Sequence, residues 1–166
     1  GALVDEVYED KDFAEPLFEV PSVNPERTFL EKLFLLHEEF HRPINKIRVD
    51  RLSRHLYDIY HLSQADIVRK AICDKELYET IVAHRYKFSR VGDVNYNFHQ
   101  PNHLNPIPPQ SVIADWEADY TQMKEDMIYE ENKPSFEDLI MNLNNLRSQL
   151  KAVEWKFELT FPKPNS

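Results

Sequence analysis

Asn24 to Leu62 reads NPERTFLEKLFLLHEEFHRPINKIRVDRLSRHLYDIYHL, a run of two helix patterns joined by a short link. Asn24 offers a side-chain cap, Pro25 suits a first helical position whose N–H would be unpaired anyway, and Thr28 with Glu31 has capping-box spacing. Phe29, Leu33, Leu36 and Phe40 recur every three or four residues, and Leu30 and Phe34 widen the stripe. Glu31, Glu38, Glu39 and Arg42 are expected to face away from it, and Pro43 stops the pattern, so helix one is expected at 25–42. Asp50 is a candidate cap for helix two at 50–62, with Leu52, Leu56 and Ile59 on its apolar side and Arg51, Arg54, His55 and Asp58 on its polar side.

Outward from this hairpin, Ser63 opens an expected third helix at 63–87, carrying Ile67, Ala71, Ile72, Leu77, Ile81 and Val82. From Ser89 to Gln110 the sequence is rich in Asn, Pro and His, and Pro101, Pro106, Pro108 and Pro109 forbid a helix; a long crossing loop laid on the core surface is expected. Ser111 is the expected cap of a fourth helix at 111–130 with Val112, Trp116, Tyr120, Met123 and Met127 inward. Ser135 with Asp138 gives a second capping signal and a fifth helix at 135–157, expected to pair antiparallel with the fourth. Residues 1–23 hold two short extended pieces interrupted by Pro16 and Pro21, an arm preceding a helical domain at 24–160.

Composition agrees with this mainly α reading of about five bundled helices. Two glycines against eleven prolines leave few left-handed backbone positions and many fixed stops. In 166 residues, 42% hydrophobic content is enough for one substantial core. The 29 acidic residues against 20 basic ones, net −9, oppose nonspecific attachment to nucleic-acid phosphate, so any such role needs a local basic patch. The single Cys73 excludes an internal disulfide, and no apolar run approaches the ~20 residues that span a bilayer; a cytoplasmic protein is expected. The opening Gly1-Ala2-Leu3 is compatible with a chain cut from something longer.

Three chemical readings compete for the hairpin. His37-Glu38-Glu39-Phe40-His41 fits H-E-x-x-H, in which two histidines on one helix face bind zinc and the glutamate acts as base. Pro43 ends the helix directly afterwards and no third ligand follows at a familiar spacing, so a solvated acidic helix end explains the string better than zinc. Arg48 and His55, or Arg54 and His61, resemble the Arg-to-His spacing of helical HEPN ribonucleases, where His handles a proton and Arg stabilises phosphate charge. Lys32 borders the apolar stripe, so its stem can be buried while its ammonium reaches a cleft, and Asp58 occupies the matching border of helix two. Such a pair could meet a triphosphate and a nucleobase, or merely form a salt bridge.

The ordered motifs NPERTFLEKLFLLHEEF and RLSRHLYDIYHL, followed by DVNYNF, WEADYTQM and PSFEDLI, resemble the AbiEii/AbiGii-type nucleotidyltransferases, toxins of type IV toxin–antitoxin systems, over roughly residues 17–157. The resemblance assigns the family's T-F-x-E-K lysine to Lys32 and its R-H-x-Y-D aspartate to Asp58, with Arg54 and His55 as further nucleotide contacts. It implies an NTP substrate, magnesium, a possible RNA acceptor, a cognate antitoxin, no membrane, and LHEEF as helix surface. The family's Gly-Ser turn and Asp-x-Asp metal pair, carried on an N-terminal sheet, are not evident here. Asp10-Lys11-Asp12 has the second motif's letters without the preceding turn. Two-metal transfer needs those carboxylates, so this chain alone is expected to be inactive, with no metal of its own.

Overall fold

The computed structural model describes residues 24–127 and 131–164. The expected extended arm at 1–23 and the last residues of the expected fourth helix lie outside them. Six α-helices carry the described fold: α1 Pro25–Phe40, α2 Arg54–Leu62, α3 Ala65–Cys73, α4 Lys75–Phe88, α5 Gln110–Glu125 and α6 Phe136–Lys151, with 3-10 turns at Ile44–Lys46 and Tyr96–His99. The mainly α reading holds.

Helix α1 is the axle of the bundle. Asn24 caps it by accepting from the Arg27 N–H at 3.0 Å. The expected Thr28–Glu31 box does not form: the helix has already started, the Thr28 N–H bonds the Asn24 carbonyl at 3.2 Å, and Glu31 reaches back to Arg27 at 2.9 Å. α1 packs against α2, α3 and α4, and Phe29, Leu30, Leu33, Phe34 and Leu36 are fully enclosed. A helix covered on most sides has no solvated face over much of its length. Glu38 and Glu39, expected outside, are therefore buried as well, at 1% and 2% exposure.

Helix α2 starts at Arg54 rather than Asp50, because its first turn is held from a distant element. The Asp119 carboxylate of α5 accepts from the Arg51 N–H at 2.9 Å, the Ser53 N–H at 3.0 Å and the Ser53 hydroxyl at 2.5 Å. Arg51 takes a left-handed φ of 63° to make this turn, a conformation that strains a residue with a Cβ. Asp119→Ala strips a charged acceptor from three donors and is expected to lower stability by about 2 kcal/mol. Urea unfolding of the variant checks this; an unchanged midpoint would remove Asp119 as the anchor of α2.

The expected third helix is two. Asp74 closes α3 and its carboxylate accepts from the Leu77 N–H at 3.0 Å, capping α4. The break lets the chain pack two short helices, rather than one long one, against α1. The crossing loop is not laid on the surface: Val94, Tyr96, His99 and Leu104 are core residues. Its polar groups find partners inside, the Tyr78 hydroxyl donating to the His99 carbonyl at 2.6 Å and the Val91 N–H donating to the Tyr96 hydroxyl at 3.0 Å. Within this loop Tyr96–His99, which overlaps the DVNYNF stretch, forms the second 3-10 turn.

Ser111 does not cap α5, which begins one residue earlier at Gln110 behind Pro109. Ser135 and Asp138 do form the expected box, each side chain accepting from the other's N–H at 3.0 Å. α5 and α6 pack on each other, and Val112, Trp116, Tyr120, Leu139, Leu143 and Leu146 belong to one buried cluster. α6 ends at Lys151, short of the expected 157. Beyond it Val153, Trp155, Phe157, Leu159 and Phe161 lean on the core while Glu154, Lys156, Glu158 and Thr160 are exposed. That alternation is the period of extended chain. The strap is pinned by the Trp155 indole donating to the Ile72 carbonyl at 2.8 Å and by two 2.8 Å bonds between Asn97 and the Phe161 backbone.

Candidate functional site

The two residues singled out on the hairpin meet. Lys32, projecting from α1, places its Nζ 3.1 Å from Asp58 Oδ2 of α2, with the lysine side chain 26% exposed and the aspartate side chain 9%. The lysine stem lies along the bundle while its head stays accessible, and Asp58 is drawn inside because α2 turns this border toward α1. An ammonium with one carboxylate beside it retains N–H donors for an incoming phosphate. The pair therefore has salt-bridge geometry with a partly exposed lysine side chain.

Arg54 and His55 stand one turn before Asp58 on α2. The His55 ring is pushed well below its ordinary pKa of 6.5, first by burial and then by the positive charges of Lys32, Arg54, Arg48 and Arg85. The imidazole is therefore neutral near pH 7. Three of these four cations are themselves paired with carboxylates: Lys32 with Asp58, Arg48 with Glu39 and Arg85 with Glu38. Arg48 is held by Glu39 through a backbone bond at 2.7 Å and side-chain bonds at 3.1 and 2.8 Å. Glu39 thus orients the Arg48 guanidinium, whose side chain remains 62% exposed.

HEEFH is structural. His37 is completely enclosed, its Nδ1 accepting the Asn105 N–H at 2.9 Å. Glu38 receives two bonds from Arg85, at 2.9 and 2.8 Å, and one at 2.9 Å from His99 Nε2. Burial alone would raise the Glu38 carboxyl, but Arg85 and the bonds from His99 and Arg85 outweigh it and pull the value to about 2. A carboxylate held this way is no general base. Among the described residues no group of three or more His, Cys, Asp or Glu side chains is placed to hold a metal ion. The zinc reading falls, and LHEEF is helix interior rather than helix surface.

A cleft of about 320 Å³ lies beside this network, between the C-terminal half of α1, the end of α4 and residues 89–93. Arg42, Arg48, Arg85 and Arg90 face it. Arg48 carries the Arg-to-His spacing, but no spacing along the chain groups the four arginines together.

A family model described as nucleotidyl transferase AbiEii toxin, type IV toxin–antitoxin system, matches residues 3–142. The chain belongs to the AbiEii family. No curated protein and no solved structure matches it. The match takes in all of α1 to α5 and the beginning of α6, so Lys32 and Asp58 both lie within it. AbiEii membership brings a nucleotidyltransferase-type toxin role, a nucleotide substrate and an antitoxin partner. The family's chemistry generally uses magnesium, yet the described residues do not fit that ion: Asp58 faces the Lys32 ammonium, and among them no group of three or more His, Cys, Asp or Glu side chains is placed to hold a metal ion. Asp10-Lys11-Asp12 lies in the matched range but outside the described residues. Among the described residues no helix is long and apolar enough to cross a membrane.

Proposed function

We propose that the hairpin of α1 and α2 is the nucleotide-facing helical half of an AbiEii transferase whose complete form moves an NMP group from an NTP to an acceptor, an RNA, with release of pyrophosphate. Lys32 meets phosphate oxygens, Asp58 completes the nucleotide or acceptor pocket, and Arg54 and His55 contribute further nucleotide contacts. The observation that carries this is the 3.1 Å approach of Lys32 to Asp58 at a partly open border, on the two motifs that the family resemblance assigns to the active site. Transfer itself needs carboxylate-held magnesium between the triphosphate and the attacking hydroxyl. On this reading the chain alone binds nucleotide without transferring it.

Titrating the isotope-labelled chain with magnesium-NTP tests the site. Backbone amide shifts are expected to move and saturate around Lys32, Arg54, His55 and Asp58, and Lys32→Ala is expected to weaken the response about tenfold or more. A spectrum unmoved by NTP would instead make the pair a salt bridge within a helical interaction module. Incubation with labelled NTP and RNA is expected to leave the RNA unlabelled. Labelled RNA would refute the inactivity of the chain alone.

A further inference from the structure

The arginine cleft lies on the same side of α1 as Lys32 but further along it. Lys32 and Glu39 are seven residues apart, two turns on one face and about 10 Å along the axis. Four arginines line the cleft against three carboxylates, Glu38, Glu39 and Asp93. Those carboxylates are answered from within the protein. Glu38 is held by Arg85 and His99, and Asp93 pairs with Lys46 at 3.4 Å.

Glu39 is shared by two arginines, Arg42 at 3.2 Å and Arg48 at 2.8 Å, so one carboxylate serves two positive charges. Arg90 has no carboxylate within ion-pair distance among the described residues; its guanidinium lies 4.1 Å from the centre of the Tyr86 ring. The Arg48 side chain remains 62% exposed, and Arg90 is exposed. Buried Glu39 and the Tyr86 ring thus fix two planar guanidinium groups at the rim of a concave site, with positive charge in excess. A guanidinium presents paired N–H donors that match phosphate oxygens.

We infer that this cleft is a second phosphate site, separate from the Lys32–Asp58 pair, that seats a backbone phosphate of a single-stranded oligoribonucleotide through Arg48 and Arg90. It supplies the local basic patch that a chain of net charge −9 needs in order to hold a polyanion. Identification of that phosphate with the acceptor strand rests on the transferase reading above. Phosphate recognition at the arginines does not.

The test is fluorescence anisotropy of a labelled oligoribonucleotide of about 12 nucleotides, titrated with the full chain at low and moderate salt. The unaltered chain is expected to bind and to weaken with salt. Arg48→Gln/Arg90→Gln is expected to bind about tenfold less tightly and with a shallower salt dependence. Lys70→Gln/Lys151→Gln, which removes two exposed charges elsewhere, is expected to bind like the unaltered chain.

Arg90→Gln alone, which disturbs only a ring contact, should show part of the loss even if the double variant is unstable. NTP-induced shifts around Lys32 should survive in the arginine variants and weaken about tenfold or more in Lys32→Ala. If the unaltered chain ignores the oligoribonucleotide, or if both arginine variants bind it equally well, the site does not exist. Full displacement by millimolar inorganic phosphate would make it a free-anion site and overturn the strand assignment. Loss of NTP shifts with oligoribonucleotide binding intact would sink the nucleotide reading and leave the cleft standing.

Discussion

Glu38→Ala is expected to lower the unfolding free energy by about 3–5 kcal/mol, the usual penalty for stranding one partner of a buried ion pair. Glu38 is 1% exposed, and the Arg85 side chain that faces it is 14% exposed. Removing the carboxylate leaves a guanidinium in the bundle with both of its Glu38 bonds gone, and it also removes the acceptor of the His99 ring. Glu38→Gln keeps the shape but not the charge and should be nearly as damaging. Arg85→Met added to Glu38→Ala should recover a large part of the loss, since the penalty comes from the uncompensated charge more than from the bond itself. Chemical denaturation of the unaltered chain, Glu38→Ala, Arg85→Met and the double variant measures the coupling. Additive losses would mean that the pair does not hold α4 to α1.

Acid should weaken the protein in two stages. The rings of His37 and His99 are completely enclosed, and both are held below their ordinary 6.5, His37 well below it. Burial is the main cause for each. His37 also faces His99 and His41, whose positive forms oppose its own, whereas the Asn105 bond acts the other way. Around His99, Glu38 favours the charged ring and Arg85 disfavours it, with burial prevailing.

A histidine whose folded pKa is depressed is protonated first in the unfolded chain. The stability it supports is complete above about 6.5 and is lost as pH falls below that value. The loss is at most about 1.4 kcal/mol per pH unit for each such ring. Glu38 adds the second stage, between 4.5 in the unfolded chain and about 2 in the fold, where the carboxylate that compensates Arg85 is protonated on unfolding. Urea midpoints at pH 7.5, 6.5 and 5.5 should therefore fall, and fall further below pH 4.5. A flat profile from 7.5 to 5.5 would mean that the enclosed rings are charged in the folded protein.

Both predictions concern residues whose place was misread from pattern alone. In HEEFH, two acidic residues at helical spacing from an apolar stripe look like a solvated face, and Glu38 and Glu39 would be one if α1 were a surface helix. They lie inside because Arg85, Arg48 and His99 arrive from later parts of the chain to neutralise them, beside the local Arg42. Likewise Asp119, 66 residues from Ser53, displaces Asp50 as the anchor of α2. The strap beyond Lys151 is a different case. Its alternating Val153, Trp155, Phe157, Leu159 and Phe161 carry a period of two, and the apolar spacing that extended α6 to 157 masked that signal.

By itself the sequence determined the class of the fold, the Asn24 and Ser135 caps, the apolar faces of α1, α5 and α6, and the family to which the chain belongs. These are short-range properties, set by side-chain periodicity, by backbone donors within a few residues of their acceptors, and by motif order. Only the tertiary structure decided that Lys32 lies 3.1 Å from Asp58, that HEEFH is an internal charge network, and that Arg42, Arg48, Arg85 and Arg90 share one cleft. Each of those depends on where separate helices come to rest. Burial and charge compensation between distant residues settle that, and no spacing along the chain encodes it.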